Sequence, residues 1–435
     1  MSAVAHADMP GRIARVPTSA ASQLLHGVLF VTILISPLVL IEPAPYEGVA
    51  AVLGFLCVVA GVGFDRRLLP LLALIILMNV GGLLAVIPVV GQEKTIRYAA
   101  ISWFMAFTAV VFACLFATDT MRRLTLMRRA YVIAAVAVSI IGAIGYFNIA
   151  GTATIFATIG RANATFKDPN VFGPFLILPL LLLLQSLISE GFRPLRAATM
   201  LVILAGLFLS FSRGAWFNFG LAAALTLGLM FITAPTLRSR ARIVTLSIVI
   251  IVGLAALIMI ALSFDAISKM FFERAKLIQY YDAGTTMGRF DLQRLAFQEV
   301  FDHPFGVGPY TFAREFGLQQ HNVYLHAFLV YGWLGGMAYL TLVLLTIGVG
   351  LRAALVATPW QPYVIAALAA FFAVAIEGAV IDTDHWRSFY LQMGLVWALF
   401  VATERGLEAR KAPRTRWHTA DAAAGAAHAA PILRR

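Results

Sequence analysis

The residues able to do chemistry fall in five short stretches of an otherwise apolar chain. The first, 161–170, carries Arg161, Lys167, Asp168 and Asn170. The second reads Ser210-Phe211-Ser212-Arg213-Gly214-Ala215-Trp216. The third joins Met287-Gly288-Arg289 to the turn-forming Asp302-His303-Pro304-Phe305-Gly306-Val307-Gly308-Pro309. The fourth is His321-Asn322-Val323-Tyr324-Leu325-His326, and the fifth Asp382-Thr383-Asp384-His385-Trp386-Arg387. Arginines suit phosphate, because the planar guanidinium donates in a bidentate fork and stays charged. Arg213 is the most informative cation: its connection is so short that its Cα must sit at the boundary of an apolar run. The alternative is that it snorkels to lipid headgroups. His321 stands at a loop-to-helix junction beside Asn322 and among cations, where an imidazole stays neutral and accepts a proton. A helix N-cap role for the His321-Asn322 pair is the competing reading. His326, one turn further on, reads as a packed residue. Arg161 and Lys167 are second-line phosphate or sugar contacts, and Asp168, Asn170, Asn322 and Arg387 complete the candidate binding set.

These stretches must be positioned by membrane helices. Of 435 residues, 61% are hydrophobic and only 12% charged, against about 25% charged in a soluble domain. A bilayer-spanning helix needs about 20 mostly apolar residues, and twelve runs qualify: 24–41, 48–64, 68–90, 98–117, 130–149, 171–188, 197–212, 215–233, 243–264, 322–351, 361–381 and 386–403. The tenth is long enough to bend at Gly332, Gly335 and Gly336. None alternates like a barrel strand, so the fold class is all-α and polytopic, with about twelve transmembrane helices. Cys57 and Cys114 lie in apolar runs, which excludes a disulfide framework and zinc spacing. The first run is long and lacks a cleavage site, so it reads as a retained helix.

Orientation follows from the basic residues. With the N-terminus inside, 21 of the 33 Lys and Arg fall on the inner side, among them Arg12, Arg15, Arg66, Arg67, Arg122 and Arg123. The net charge of +12 is then a cytoplasmic topology signal, and no nucleic-acid partner is implied. The expected layout is a cytoplasmic segment 1–23, helices one to nine over 24–264, a long outer loop 265–321 between helices nine and ten, helices ten to twelve over 322–403, and a basic, Ala-rich cytoplasmic tail 404–435. Within the loop, Ala266–Tyr281 spaces Ile267, Met270, Phe271, Leu277 and Ile278 on one helical face, with Lys269, Glu273 and Lys276 opposite. A second helix over Arg289–Phe301 presents Phe290, Leu295, Phe297 and Phe301.

The ordered set of Thr165-Phe166-Lys167-Asp168-Pro169-Asn170, Phe211-Ser212-Arg213-Gly214, Gly288-Arg289, the 302–309 turn, His321-Asn322-Val323-Tyr324-Leu325 and Tyr331-Gly332-Trp333 resembles the bacterial O-antigen ligase/polymerase superfamily. Val330 departs from it, standing where the family often has an acidic residue. The resemblance implies an inner-membrane glycosyltransferase of the GT-C type. It would move a preassembled glycan from undecaprenyl diphosphate to an acceptor hydroxyl, most simply on lipid A–core, on the periplasmic side and among membrane lipids. It also implies that Arg213 and Arg289 handle the diphosphate and that His321 is the base, with no cofactor or metal. Fixed cations can meet the charge of the leaving diphosphate.

Three alternatives stay open. Asp382-Thr383-Asp384 with His385 is a D-x-D that a hard cation could use. A flippase or transporter would do no chemistry, but such pathways place ionisable groups within helices, where this chain has essentially Glu377 alone. A polymerase would join lipid-linked repeats, and the 150–170 connection with Arg161 is a modest candidate for its second arginine-bearing loop. One dominant loop between helices nine and ten favours the ligase arrangement.

Overall fold

The computed structural model describes residues 20–41, 43–275 and 288–411. Leu277, Ile278, Lys276, Met287, the first nineteen residues and the tail beyond 411 lie outside the described residues.

The chain is an all-α polytopic membrane protein. Its helices are α1 (Ala20–Ile35), α2 (Pro45–Val59), α3 (Leu69–Val86), α4 (Glu93–Phe116), α5 (Thr120–Tyr146), α6 (Ala153–Phe156), α7 (Pro169–Phe175), α8 (Ile177–Ser189), α9 (Pro194–Leu209) and α10 (Arg213–Thr233). They continue with α11 (Leu237–Leu262), α12 (Asp265–Ala275), α13 (Arg289–Asp302), α14 (Thr311–Phe316), α15 (Val323–Ala354), α16 (Gln361–Glu377) and α17 (Arg387–Lys411). Each of the twelve apolar runs contains a helix. Among the described residues seven helical spans are long and apolar enough to cross a membrane, and α1, α2, α9 and α16 are shorter apolar helices. A two-residue hairpin, β1 (Ala157–Thr158) with β2 (Arg161–Ala162), is the only strand pair among the described residues.

The boundaries differ from the apolar runs where polar residues extend a helix or a proline divides one. Helix α5 begins ten residues before its apolar run, at Thr120, and α17 continues to Lys411 through charged residues. The sixth run is two helices, α7 and α8, separated near Pro174. Proline removes a backbone donor and crowds the preceding turn.

Helices α8, α16 and α17 form the centre. Leu178, Leu181, Val364, Phe371, Phe389 and Trp397 are each at most 1% exposed. Helix α11 has the opposite character, with Ile248, Ile251, Val252 and Met259 more than half exposed, as suits a surface that faces lipid. Helix α15 lies across α3 at close range: a side chain at Gly81 would meet the Tyr331 carbonyl and the Gly335 nitrogen, the small-residue contact that lets membrane helices approach.

Of the three glycines expected to bend the tenth run, Gly332 breaks it, at φ 64° and ψ −175°. The break frees backbone groups that the preceding loop takes up. Val307 N–H donates to Leu329 O at 2.7 Å, and Trp333 N–H donates to Pro304 O at 2.8 Å. The 302–309 turn is thereby stitched into α15.

Helix α12 places Ile267 inward, as its periodicity requires, and Phe271 stacks on Trp216 at 5.6 Å. Helix α13 buries Leu292, Ala296 and Val300 instead of its phenylalanines: Phe290, Phe297 and Phe301 are exposed. The phenylalanines continue toward Trp333, 5.8 Å from Phe301, as an apolar rim of the kind that lies on a membrane surface.

Candidate active site

Arg213, Arg289 and His321 each stand at the start of a helix, and each start is set by its local sequence. Ser212 caps α10 through its hydroxyl, which accepts from Ala215 N–H at 3.3 Å. Gly288 precedes α13, and its N–H donates to Asp291 at 2.9 Å. Asn322 caps α15, its Oδ1 accepting from Tyr324 N–H at 3.0 Å and Leu325 N–H at 3.2 Å. The N-cap reading therefore holds for Asn322, while His321 stays outside the helix in the left-handed region at φ 49°. Asn322→Ala should cost about 1 kcal/mol of stability and Asn322→Asp much less. Unfolding of the purified variants in detergent measures both.

The end of α16 draws these three starts together. Gly378 O accepts from Val323 N–H at 2.8 Å, and Ala375 O accepts from the Tyr324 hydroxyl at 2.6 Å. Gln293, one turn after Arg289, donates to His321 O at 3.3 Å and to Ala379 O at 3.4 Å. Glu377 lies against Gly214 and accepts from Asn218. The helix N-termini of α10, α13 and α15 carry partial positive charge, which adds to the arginines.

His321 Nδ1 lies 3.9 Å from Asp382 Oδ2. Burial lowers the His321 pKa, Arg289 and His326 add to the lowering, and Asp382 and Asp168 oppose it. The imidazole is therefore neutral near pH 7, the state a proton acceptor needs. Burial raises the Asp382 pKa and Asp384 adds to it, against His326, His321 and the Asn322 backbone N–H.

Asp384 belongs to a separate buried network. The Tyr98 and Tyr331 hydroxyls donate to its Oδ2 at 2.5 and 3.0 Å. Tyr98 also meets His326 Nε2 at 2.8 Å, and Ser102 meets His385 Nε2 at 2.8 Å. Burial alone would raise Asp384, but His385, His326 and the two hydroxyls hold it below the usual carboxylate range. The D-x-D thus divides, with Asp382 turned to His321 and Asp384 to the tyrosines. Among the described residues no group of three or more His, Cys, Asp or Glu is placed to hold a metal ion.

The remaining candidates separate. Asp168 reaches His321 electrostatically, and its Oδ1 caps α7 by accepting Asn170 N–H at 2.8 Å. Lys167 is exposed beside it. Arg161 donates to Ser210 O at 3.0 Å and to Asn170 Oδ1 at 2.7 Å, and Ser212 Oγ donates to the same oxygen at 2.9 Å. Arg161 and Asn170 therefore brace the turn before Arg213. Arg387 is drawn toward α1 and α2: it donates to Ser36 O at 3.2 Å, pairs with Glu47 and lies over the Tyr46 ring. From sequence, Asp382 suggests only a metal-binding D-x-D and Glu377 only the lone intramembrane acid of a transporter. The signal for Glu377 was its standing alone as an acid within a helix.

Residues 198–340 match the family model described as O-antigen ligase, which supports the O-antigen ligase-like superfamily that the motifs imply. The matched segment contains Arg213, Arg289 and His321; residues 161–170 and 377–387 lie outside it. No curated protein matches the chain.

Proposed function

From a chain whose residues 198–340 match the O-antigen ligase family model, we propose a membrane glycosyltransferase that moves a glycan from undecaprenyl diphosphate to an acceptor hydroxyl on lipid A–core. The observation that carries this reading is the joining of two arginine-bearing helix starts and His321 at the end of α16.

His321 Nε2 takes the proton of the acceptor hydroxyl while Nδ1 faces Asp382, which favours the tautomer with the proton on Nδ1. The hydroxyl oxygen bonds to the anomeric carbon as its bond to the diphosphate oxygen breaks, and that oxygen leaves with the electron pair. Arg213, Arg289 and the positive helix ends meet the charge on the departing undecaprenyl diphosphate. One base acting on one displacement inverts the anomeric centre. Asp382 is a positioning residue. Lys167 contacts the donor headgroup, and Arg161 supports Arg213 through Ser210. The internal commitment of Arg161 favours ligase over polymerase, because polymerases often carry a second arginine-bearing outer loop and the 150–170 connection is the candidate for it. The site faces the periplasm of the inner membrane, with both termini cytoplasmic, in keeping with the distribution of basic residues.

Proteoliposomes given undecaprenyl diphosphate-linked O-antigen and lipid A–core are expected to yield long-chain lipopolysaccharide, with full turnover in excess EDTA. A product of joined lipid-linked repeats would replace this reading with polymerase. Transbilayer movement of lipid-linked sugar with no new glycosidic bond would replace it with a transporter, and loss of turnover in EDTA would remove the metal-free mechanism.

A further inference from the structure

We propose that Glu377 is a positioning residue of the donor site, whose carboxylate locks the first turn of α10 to the end of α16 and so aims Arg213. The proposal rests on the diphosphate role of Arg213. Glu377 is 4% exposed and Asn218 is fully buried, and the Asn218 amide donates to Glu377 Oε2. The other carboxylate oxygen lies against Gly214: a Cβ there would stand 2.6 Å from Oε1. One side chain thus grips α10 at two successive turns, beside Arg213 at one and at Asn218 at the next.

The next residues along fix the other two participants. Gly378 O holds Val323 N–H, two residues after His321, and Ala379 O receives the Gln293 amide, one turn after Arg289. On the α16 side those two links are made by backbone carbonyls, so replacing Glu377 leaves them in place. Of the three, only the α10 link depends on a side chain from α16. Burying a carboxylate for packing alone is costly compared with an apolar residue, and a specified geometry is what this one supplies. Small misplacement of a reacting group costs large factors in rate.

The test uses the full-length purified protein. It measures donor and acceptor kinetics with the lipid-linked glycan extracted from a deletion strain, and binding of undecaprenyl diphosphate alone. Glu377→Ala is expected to lower donor kcat/KM by about a hundredfold and to weaken undecaprenyl diphosphate binding, as misaiming predicts. Acceptor KM and the acid limb of the pH profile, which report on His321, should not move. Glu377→Gln keeps shape and hydrogen bonding and should restore donor kcat/KM to within about threefold. Asn218→Ala should reproduce the donor defect and add nothing to Glu377→Ala in the double variant; it serves alone where Glu377→Ala does not fold. Equal loss in Gln and Ala, or a wild-type donor constant in Asn218→Ala while Arg213→Ala is inactive, overturns the latch and spares the clamp. Turnover by Arg213→Ala at the wild-type rate overturns the clamp and the latch with it.

Discussion

Replacing His321 by alanine is expected to lower glycan transfer by about 10²–10⁴-fold, the contribution of a positioned general base, with little change in donor binding. The same assay across pH carries more information than the loss itself. The His321 pKa lies below its ordinary value, so the neutral imidazole prevails at pH 7 and activity should fall as pH drops through that lowered pKa. The neighbours then move the acid limb in opposite directions. Arg289 lowers the pKa and Asp382 raises it. Asp382→Asn should therefore shift the limb to lower pH, and Arg289→Ala should shift it to higher pH on top of its own loss of rate. An unmoved limb in both, or near wild-type turnover by His321→Ala at normal protein levels, would remove His321 from the proton transfer.

Arg213→Ala is expected to lower kcat by about 10²–10³-fold, the scale of one fixed charge-stabilising donor. Its place at the first position of α10 adds the helix end to the guanidinium. Lysine supplies a point charge without the bidentate fork, so Arg213→Lys should recover only part of the loss. The pH profile of what remains should stay close to the wild-type acid limb, because the charges that act most on His321 are Asp382, Arg289, Asp168 and His326. Turnover of extracted lipid-linked donor in membranes with matched protein levels measures this. Wild-type rates would mean that Arg213 only anchors α10 at the lipid headgroups.

The two predictions rest on residues that could be read in advance because each stands at or just before the start of a helix. A cap, a charged or imidazole side chain and then an apolar run leave a local pattern at Ser212-Arg213, Gly288-Arg289 and His321-Asn322. What could not be read were the partners across the chain. Asp382 is separated from His321 by all of α15 and α16, so from sequence it suggested only a D-x-D. Arg387 has the type of a substrate contact, yet Glu47 and Tyr46, far away in the chain, occupy it. Arg161 is likewise taken up by Ser210 and Asn170. An arginine's type says what it can bind; only tertiary placement says whether a residue of the same chain reaches it first. Helix α13 adds a different lesson, since Leu292, Ala296 and Val300 outcompeted three larger phenylalanines for the buried face.

The break in α15 has a consequence for biosynthesis. The 302–309 turn finds its partners at Leu329 and Trp333, which a ribosome makes only after the turn itself has been translated. A chain halted before α15 would hold both arginines and His321 but nothing for that turn to bind. The end of α16, which gathers all three helix starts, comes later still. Assembly of the active centre therefore waits for the last third of the polypeptide, and a half-inserted nascent chain cannot consume the lipid-linked donor.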